Sequence, residues 1–176
     1  MVLALAALLV GFLLLPACGS GTLTEEERVD AEIQIYAAVT RQLVEIDNTF
    51  GPKYRFTRIL ILDRLDPRAG DAMSQTQSGR LLTEEQRQAI VIAIDHLGPI
   101  EFIANWSQFV REDVLEPVIP GSVIITLAPA EFDDDGATVG ANLWCGGACG
   151  LWLTYRVLEG PDGWTAAGRE GTWAIS

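Results

Sequence analysis

Cations are scarce in this chain. Twelve Lys and Arg stand against 24 Asp and Glu, for a formal net charge of −12, and Lys53 is the sole lysine. Nucleic acid is thereby excluded as a partner, because phosphate binding needs clustered Lys and Arg, and direct contact with anionic headgroups is disfavoured. Chemistry-bearing motifs are also missing. The sequence has no G-x-S-x-G elbow, no H-E-x-x-H and no Gly-rich phosphate loop, so no catalytic residue is assigned. The single histidine, His96, follows Asp95 at the end of a helical pattern, where the helix dipole favours an imidazolium without any catalytic role. With two neighbouring thiols and one remote histidine, four ligands for a structural zinc cannot be assembled. No metal and no cofactor are expected. Asp133 to Asp135 reads as a solvated acidic turn, since a calcium site wants six to eight oxygens in an ordered loop.

Charge is absent altogether from residues 1 to 24, and Met1 to Leu15 form an apolar block. The block is shorter than the roughly 20 residues of a membrane span and suits the hydrophobic region of an export signal. "LLLPACGS" follows, with Leu15, the small Ala17 and then Cys18. This stretch resembles the lipobox of bacterial lipoproteins. The resemblance implies a signal peptide over 1–17, cleavage before Cys18, diacylglycerol on its sulfur and an added acyl chain such as palmitate. Two chains suffice for stable anchoring. The implied location is the bacterial cell envelope, with the membrane engaged through the N-terminal lipid. No Lys or Arg precedes the apolar block, and a start upstream of Met1 would supply one.

Residues 18–23 read as a short tether and 24–176 as a single domain, a length that buries one adequate core. Thr24 and Glu27 form a capping box, and Val29, Ile33, Tyr36, Val39, Leu43 and Ile46 recur at helical spacing, predicting a helix from about Glu25 to Asp47. Phe56 to Asp63 reads as a buried strand, followed by a polar loop. A second capping box, Thr83 to Gln86, opens a helix with Ile90, Ala93, Ile94 and Leu97 on one face, stopped by Gly98 and Pro99. From residue 122 the pattern changes to strands near 122–129, 137–145, 149–158 and 164–175, with turns at "DDDG" and "GPDG". The expected fold is α+β: two helices packed on one face of a C-terminal antiparallel meander sheet, of the cystatin-like or NTF2-like kind.

"LWCGGACGLW" sets Cys145 four residues before Cys149. A three-residue hairpin loop opposes the two cysteines and pairs Leu143 with Leu151, Ala141 with Leu153, Val139 with Tyr155 and Ala137 with Val157, an entirely apolar face. Directly opposed residues lie within disulfide reach. With export, and with Cys18 taken by lipid, an even pair remains, so a Cys145–Cys149 disulfide is expected. A redox-active pair is the alternative, although such thiols usually sit at a helix N-terminus and here a strand pattern follows. The last 35 residues resemble tails of uncharacterised bacterial exported proteins, a likeness that implies no activity.

The opposite face of that hairpin carries Asn142, Trp144, Trp152 and Arg156. These are the candidate ligand-binding residues, although tryptophans also cover a sheet's second face under a loop. The leading expectation is a non-enzymatic binding or interaction domain whose partner is an envelope protein or a small ligand. The alternative is an exported enzyme built from scattered carboxylates such as Glu32, Asp63 and Asp95.

Overall fold

The computed structural model describes residues 23–73 and 78–176. The expected signal segment, Cys18 and the tether up to Thr22 lie outside the described residues. Helix α1 runs over Glu25–Arg41 and α2 over Glu84–Ile94. Both begin as their sequences dictate. Thr24 accepts from the Glu27 amide while Glu27 reaches back to the Thr24 amide at 2.8 Å, and Thr83 and Gln86 repeat the exchange. Each helix start thus satisfies donors that an uncapped end leaves orphaned. Among the described residues, no helix is long and apolar enough to cross a membrane.

The strands are β1 (Arg58–Leu62), β2 (Ile100–Ile103), β3 (Val110–Arg111), β4 (Glu116–Pro117), β5 (Ser122–Leu127), β6 (Glu131–Asp133), β7 (Gly136–Gly146), β8 (Cys149–Gly160) and β9 (Gly163–Ile175). Seven of them form one mixed, mostly antiparallel sheet, in the order β2-β1-β5-β7-β8-β9 with β6 beside β7; β3 and β4 form a separate hairpin. The expected meander is present as β5, β7, β8 and β9 but makes only part of the sheet. β1 joins it parallel to β5, and β2 extends it parallel to β1 across the α2 crossover. "DDDG" turns the short β6–β7 hairpin, so β5 meets β7 further along.

Alternation along the strands divides the core in two. On the helix side, Ile59, Ile61, Val123, Ile125, Val139, Leu143, Leu151 and Tyr155 pack with Ile35, Tyr36, Val39 and Leu43 of the α1 region and with Ile90 and Ile94 of α2. Each such fully buried Ile or Leu contributes about 1.5–3 kcal/mol relative to exposure. On the opposite side, Leu60, Leu62, Ile103, Val110 and Ile124 form a smaller cluster with Trp106, Phe109 and Trp144. The predicted helical stripe breaks at its end: Ile46 is 57% exposed. Residues Gln42–Asp47 form a π-turn, whose wider winding rotates Ile46 off the core line and turns Asp47 inward. Ala93, expected on the core face of α2, is exposed as well, while Gln86 is buried.

Candidate binding face

The β7–β8 hairpin pairs as its sequence pattern requires, with Ala137↔Val157, Val139↔Tyr155, Ala141↔Leu153 and Leu143↔Leu151. All eight residues are buried. The odd-numbered set faces the helices, so Asn142, Trp144, Trp152, Thr154 and Arg156 share the other side. At the tip the expected three-residue loop does not form: a bulge after Trp144 sets Gly146, rather than Cys145, opposite Cys149. Cys145 and Cys149 stand at disulfide distance, with Cα atoms 5.1 Å apart.

Three of the four candidate residues converge. Trp144 meets the ring of Trp106 edge to face, centroids 5.5 Å apart. Trp152 pairs across the strands with Asn142, and its indole lies over Gly150, where a β-carbon would come within 2.5 Å of the ring. Gly150 in turn pairs with Trp144. Trp106, Trp144 and Trp152 therefore form a row of half-buried indoles across the sheet. Trp106 was not legible as a member, because it sits in a polar stretch with no strand periodicity.

Two covers frame this row. One is the short 3-10 turn Trp106–Phe109 with the β3–β4 hairpin. The other is the polar loop after β1, anchored where the Asp66 amide donates to the Leu127 carbonyl at 2.8 Å and the Gly70 amide donates to the Asn142 carboxamide oxygen at 2.6 Å. The loop presses so closely on Gly140 that a β-carbon there would overlap the Ala69 carbonyl. With its oxygen engaged, Asn142 keeps its NH₂ group, for which the described residues supply no hydrogen-bond acceptor.

Arg156 is separate from the row. It lies four residues beyond Trp152 on β8, about 13 Å away, and the Ala69–Gly70 segment crosses between them at Gly140 and Thr154. Both its terminal nitrogens donate to Asp133. That bonding holds the Asp133 carboxyl well below its ordinary range, helped by the Asp135 amide. The acidic turn is thus occupied by a guanidinium and a backbone donor.

The carboxylates of the enzymatic alternative do not share a site. Glu32, only 4% exposed, accepts from Arg80 at 2.6 Å and from Gln86 at 3.2 Å. Asp63 pairs with Arg87 at 3.3 Å. Asp95 and His96 are exposed in the 3-10 turn that ends α2. Burial, and then the negative charge of Glu32, push the phenol of neighbouring Tyr36 above its ordinary pKa. A further buried cluster escaped the sequence reading. Asp47 accepts from the Tyr155 hydroxyl at 2.8 Å, from Gln42 at 3.1 Å and from Arg169. Burial, followed by the hydrogen bond to Asp47, pushes the Tyr155 phenol up, so it stays a donor.

Compared with family models, with curated proteins and with solved structures, the chain matches none.

Proposed function

We propose that this chain is an envelope lipoprotein, exported and anchored through lipid on Cys18, whose folded domain is a non-enzymatic binding module for an envelope protein or a small ligand. We further propose a helix-on-sheet architecture of the cystatin-like or NTF2-like kind, a reading supported by α1 lying against β7, β8 and β9. The observation that carries the binding role is the row of Trp106, Trp144 and Trp152 between two covers. Half-buried indoles offer large, rigid apolar area with a hydrogen-bond donor at the edge, the usual composition of a recognition surface. The uncharged NH₂ of Asn142 adds one directional donor. The lipobox resemblance supports the anchoring.

Two experiments test the reading. Intact mass of the full-length chain from bacterial membranes, with thiol alkylation before and after reduction, is expected to give a lipidated N-terminus at Cys18 and two thiols that appear only on reduction. An unmodified Cys18 with freely alkylated Cys145 and Cys149 overturns the anchoring. For the face, envelope small molecules and solubilised envelope proteins are titrated against the intrinsic tryptophan fluorescence of the domain. Trp152→Ala is expected to weaken binding about tenfold or more, the range of an aromatic hot spot. Should Trp144→Ala and Trp152→Ala leave the binding of every ligand found intact, the face is not the site.

A further inference from the structure

We propose that the outer edge of β2, together with the groove between β2 and α2, binds an extended basic-apolar peptide segment by strand addition. This site is independent of the indole face, which lies on the other side of the sheet. Its first component is backbone. The Pro99 carbonyl accepts from the Ile59 amide at 2.8 Å and the Ile103 carbonyl accepts from the Asp63 amide at 2.9 Å, so residues 99, 101 and 103 turn their peptide groups toward β1. Residues of a parallel strand alternate in this respect. Ile100 and Phe102 therefore direct both amide and carbonyl outward, and among the described residues no strand pairs with that edge.

The second component is a groove of about 500 Å³ beside the same edge, lined by Val91, Ile92 and Phe102 with Glu84, Arg87 and Gln88 at its rim. Ile92 is 74% exposed on α2, a large apolar side chain that the described residues leave largely open. Phe102 registers with Ile61 and packs on the helix-side core, so the groove lies on the side to which an added strand would send alternate side chains. Free edge and adjoining helix-walled groove are the two parts that strand-addition binders combine: main-chain hydrogen bonds for affinity and pockets for alternate side chains.

Charge selects the occupant. On the groove side Glu84 and Asp63 share one guanidinium, Arg87, and on the other side of the strand Glu101 pairs with Arg58. One negative charge is left over, within a chain of net −12. In a peptide with alternating apolar and basic residues, the apolar ones enter the groove and the basic ones fall on the other side of the strand, beside the half-exposed Glu101. A second copy is unsuited: it brings another −12, and a stable dimer buries about 800 Å² per partner, whereas the edge is four residues long, about 13 Å.

The probe is a fluorescein-labelled, end-capped (Lys-Val)₃ hexapeptide, titrated by anisotropy against the intact chain. Saturable binding below about 1 mM is expected, with loss of about tenfold or more for Ile92→Gln, a solvent-exposed substitution that leaves the fold and thermal midpoint unchanged. N-methylation of alternate peptide residues, which removes the donors for the edge, is expected to abolish binding. Hydrogen exchange of the Ile100 and Phe102 amides is expected to slow on saturation while Glu101 and Ile103 stay as they are. No binding up to 1 mM, equal binding of the N-methylated peptide, or unchanged exchange at Ile100 and Phe102 overturns the proposal. So does a doubled mass by light scattering that Ile92→Gln reverses, because the edge is then occupied by a second copy.

Discussion

A double-mutant cycle on Asp47 and Tyr155 tests how the end of α1 is fastened to the sheet. The Asp47 side chain is 3% exposed and accepts from Tyr155, Gln42 and Arg169. Tyr155→Phe removes one hydrogen bond to a charged acceptor but leaves the carboxylate its other donors, a loss of about 1.5 kcal/mol. Asp47→Ala strands the Tyr155 hydroxyl on a wholly buried residue, at about 1–3 kcal/mol, and also discards the remaining bonds. The Arg169 side chain is 42% exposed, so its share is at most about 1 kcal/mol after solvent screening. Asp47→Ala should therefore lose about 3–4 kcal/mol. The pair together should lose no more than Asp47→Ala alone, since no orphaned hydroxyl remains, giving a coupling of about 1.5 kcal/mol. Urea unfolding at pH 7 with the disulfide intact reads all four corners, provided the slopes agree. Additivity within about 0.5 kcal/mol would refute the argument that carboxylate and phenol act as one unit.

Two further perturbations address the hairpin. Replacing both cysteines, Cys145→Ser with Cys149→Ser, should lower stability by about 2 kcal/mol, the loop-entropy value for so short a ring, with the fold retained by circular dichroism; loss of the fold would contradict a local clasp. The Asp133–Arg156 pair should be sensitive to acid. Since the folded-state pKa of Asp133 lies below its ordinary value, its contribution is present above the unfolded pKa and disappears as pH falls through the depressed folded one. Wild type and Arg156→Gln should accordingly converge in stability only at strongly acid pH, and an Asp133 carboxyl titrating at its ordinary position by NMR would remove the basis for this.

Features governed by local rules were legible. Both capping boxes form because Thr24 with Glu27, and Thr83 with Gln86, need only each other. The β7–β8 register follows from alternation, because a one-residue slip would turn Leu143, Leu151 and Tyr155 to the other face. What was missed depends on distant partners. β2 is four residues with a glutamate inside it, too short for periodicity, and it exists because β1 offers a ladder. The π-turn leaves no sequence mark, yet it decides that Ile46 is exposed and Asp47 buried. Gln86 could be read as a cap but not as a partner of Glu32, 54 residues earlier. Of the candidate face, the strand alternation disclosed Asn142, Trp144 and Trp152. It could not disclose that the loop after β1 crosses between them and Arg156, because nothing in "DPRAG" announces that its backbone will lie against Gly140.

The place of the cysteine pair in the fold makes more sense of it than its energy does. A ring that short adds little stability, and the strands on either side are already zipped by their buried residues. The tip, however, is where separate segments meet. The Gly147 amide donates to the Leu115 carbonyl at 2.7 Å, Thr49 at the end of the α1 region approaches the Cys149 sulfur at 3.8 Å, and Gly150 exchanges backbone hydrogen bonds with Ser176 at the end of β9. Leu115 is held at φ +52°, a conformation that a side chain with a β-carbon adopts only at a cost of about 1–2 kcal/mol, and the Gly147 bond is one of the contacts that hold it. A glycine-rich turn left open would sample many geometries. Closing Cys145 to Cys149 confines it to those in which the β3–β4 cover, the end of the α1 region and the last strand can all dock. The clasp thereby sets the position of the cover that carries Trp106 to its contact with Trp144.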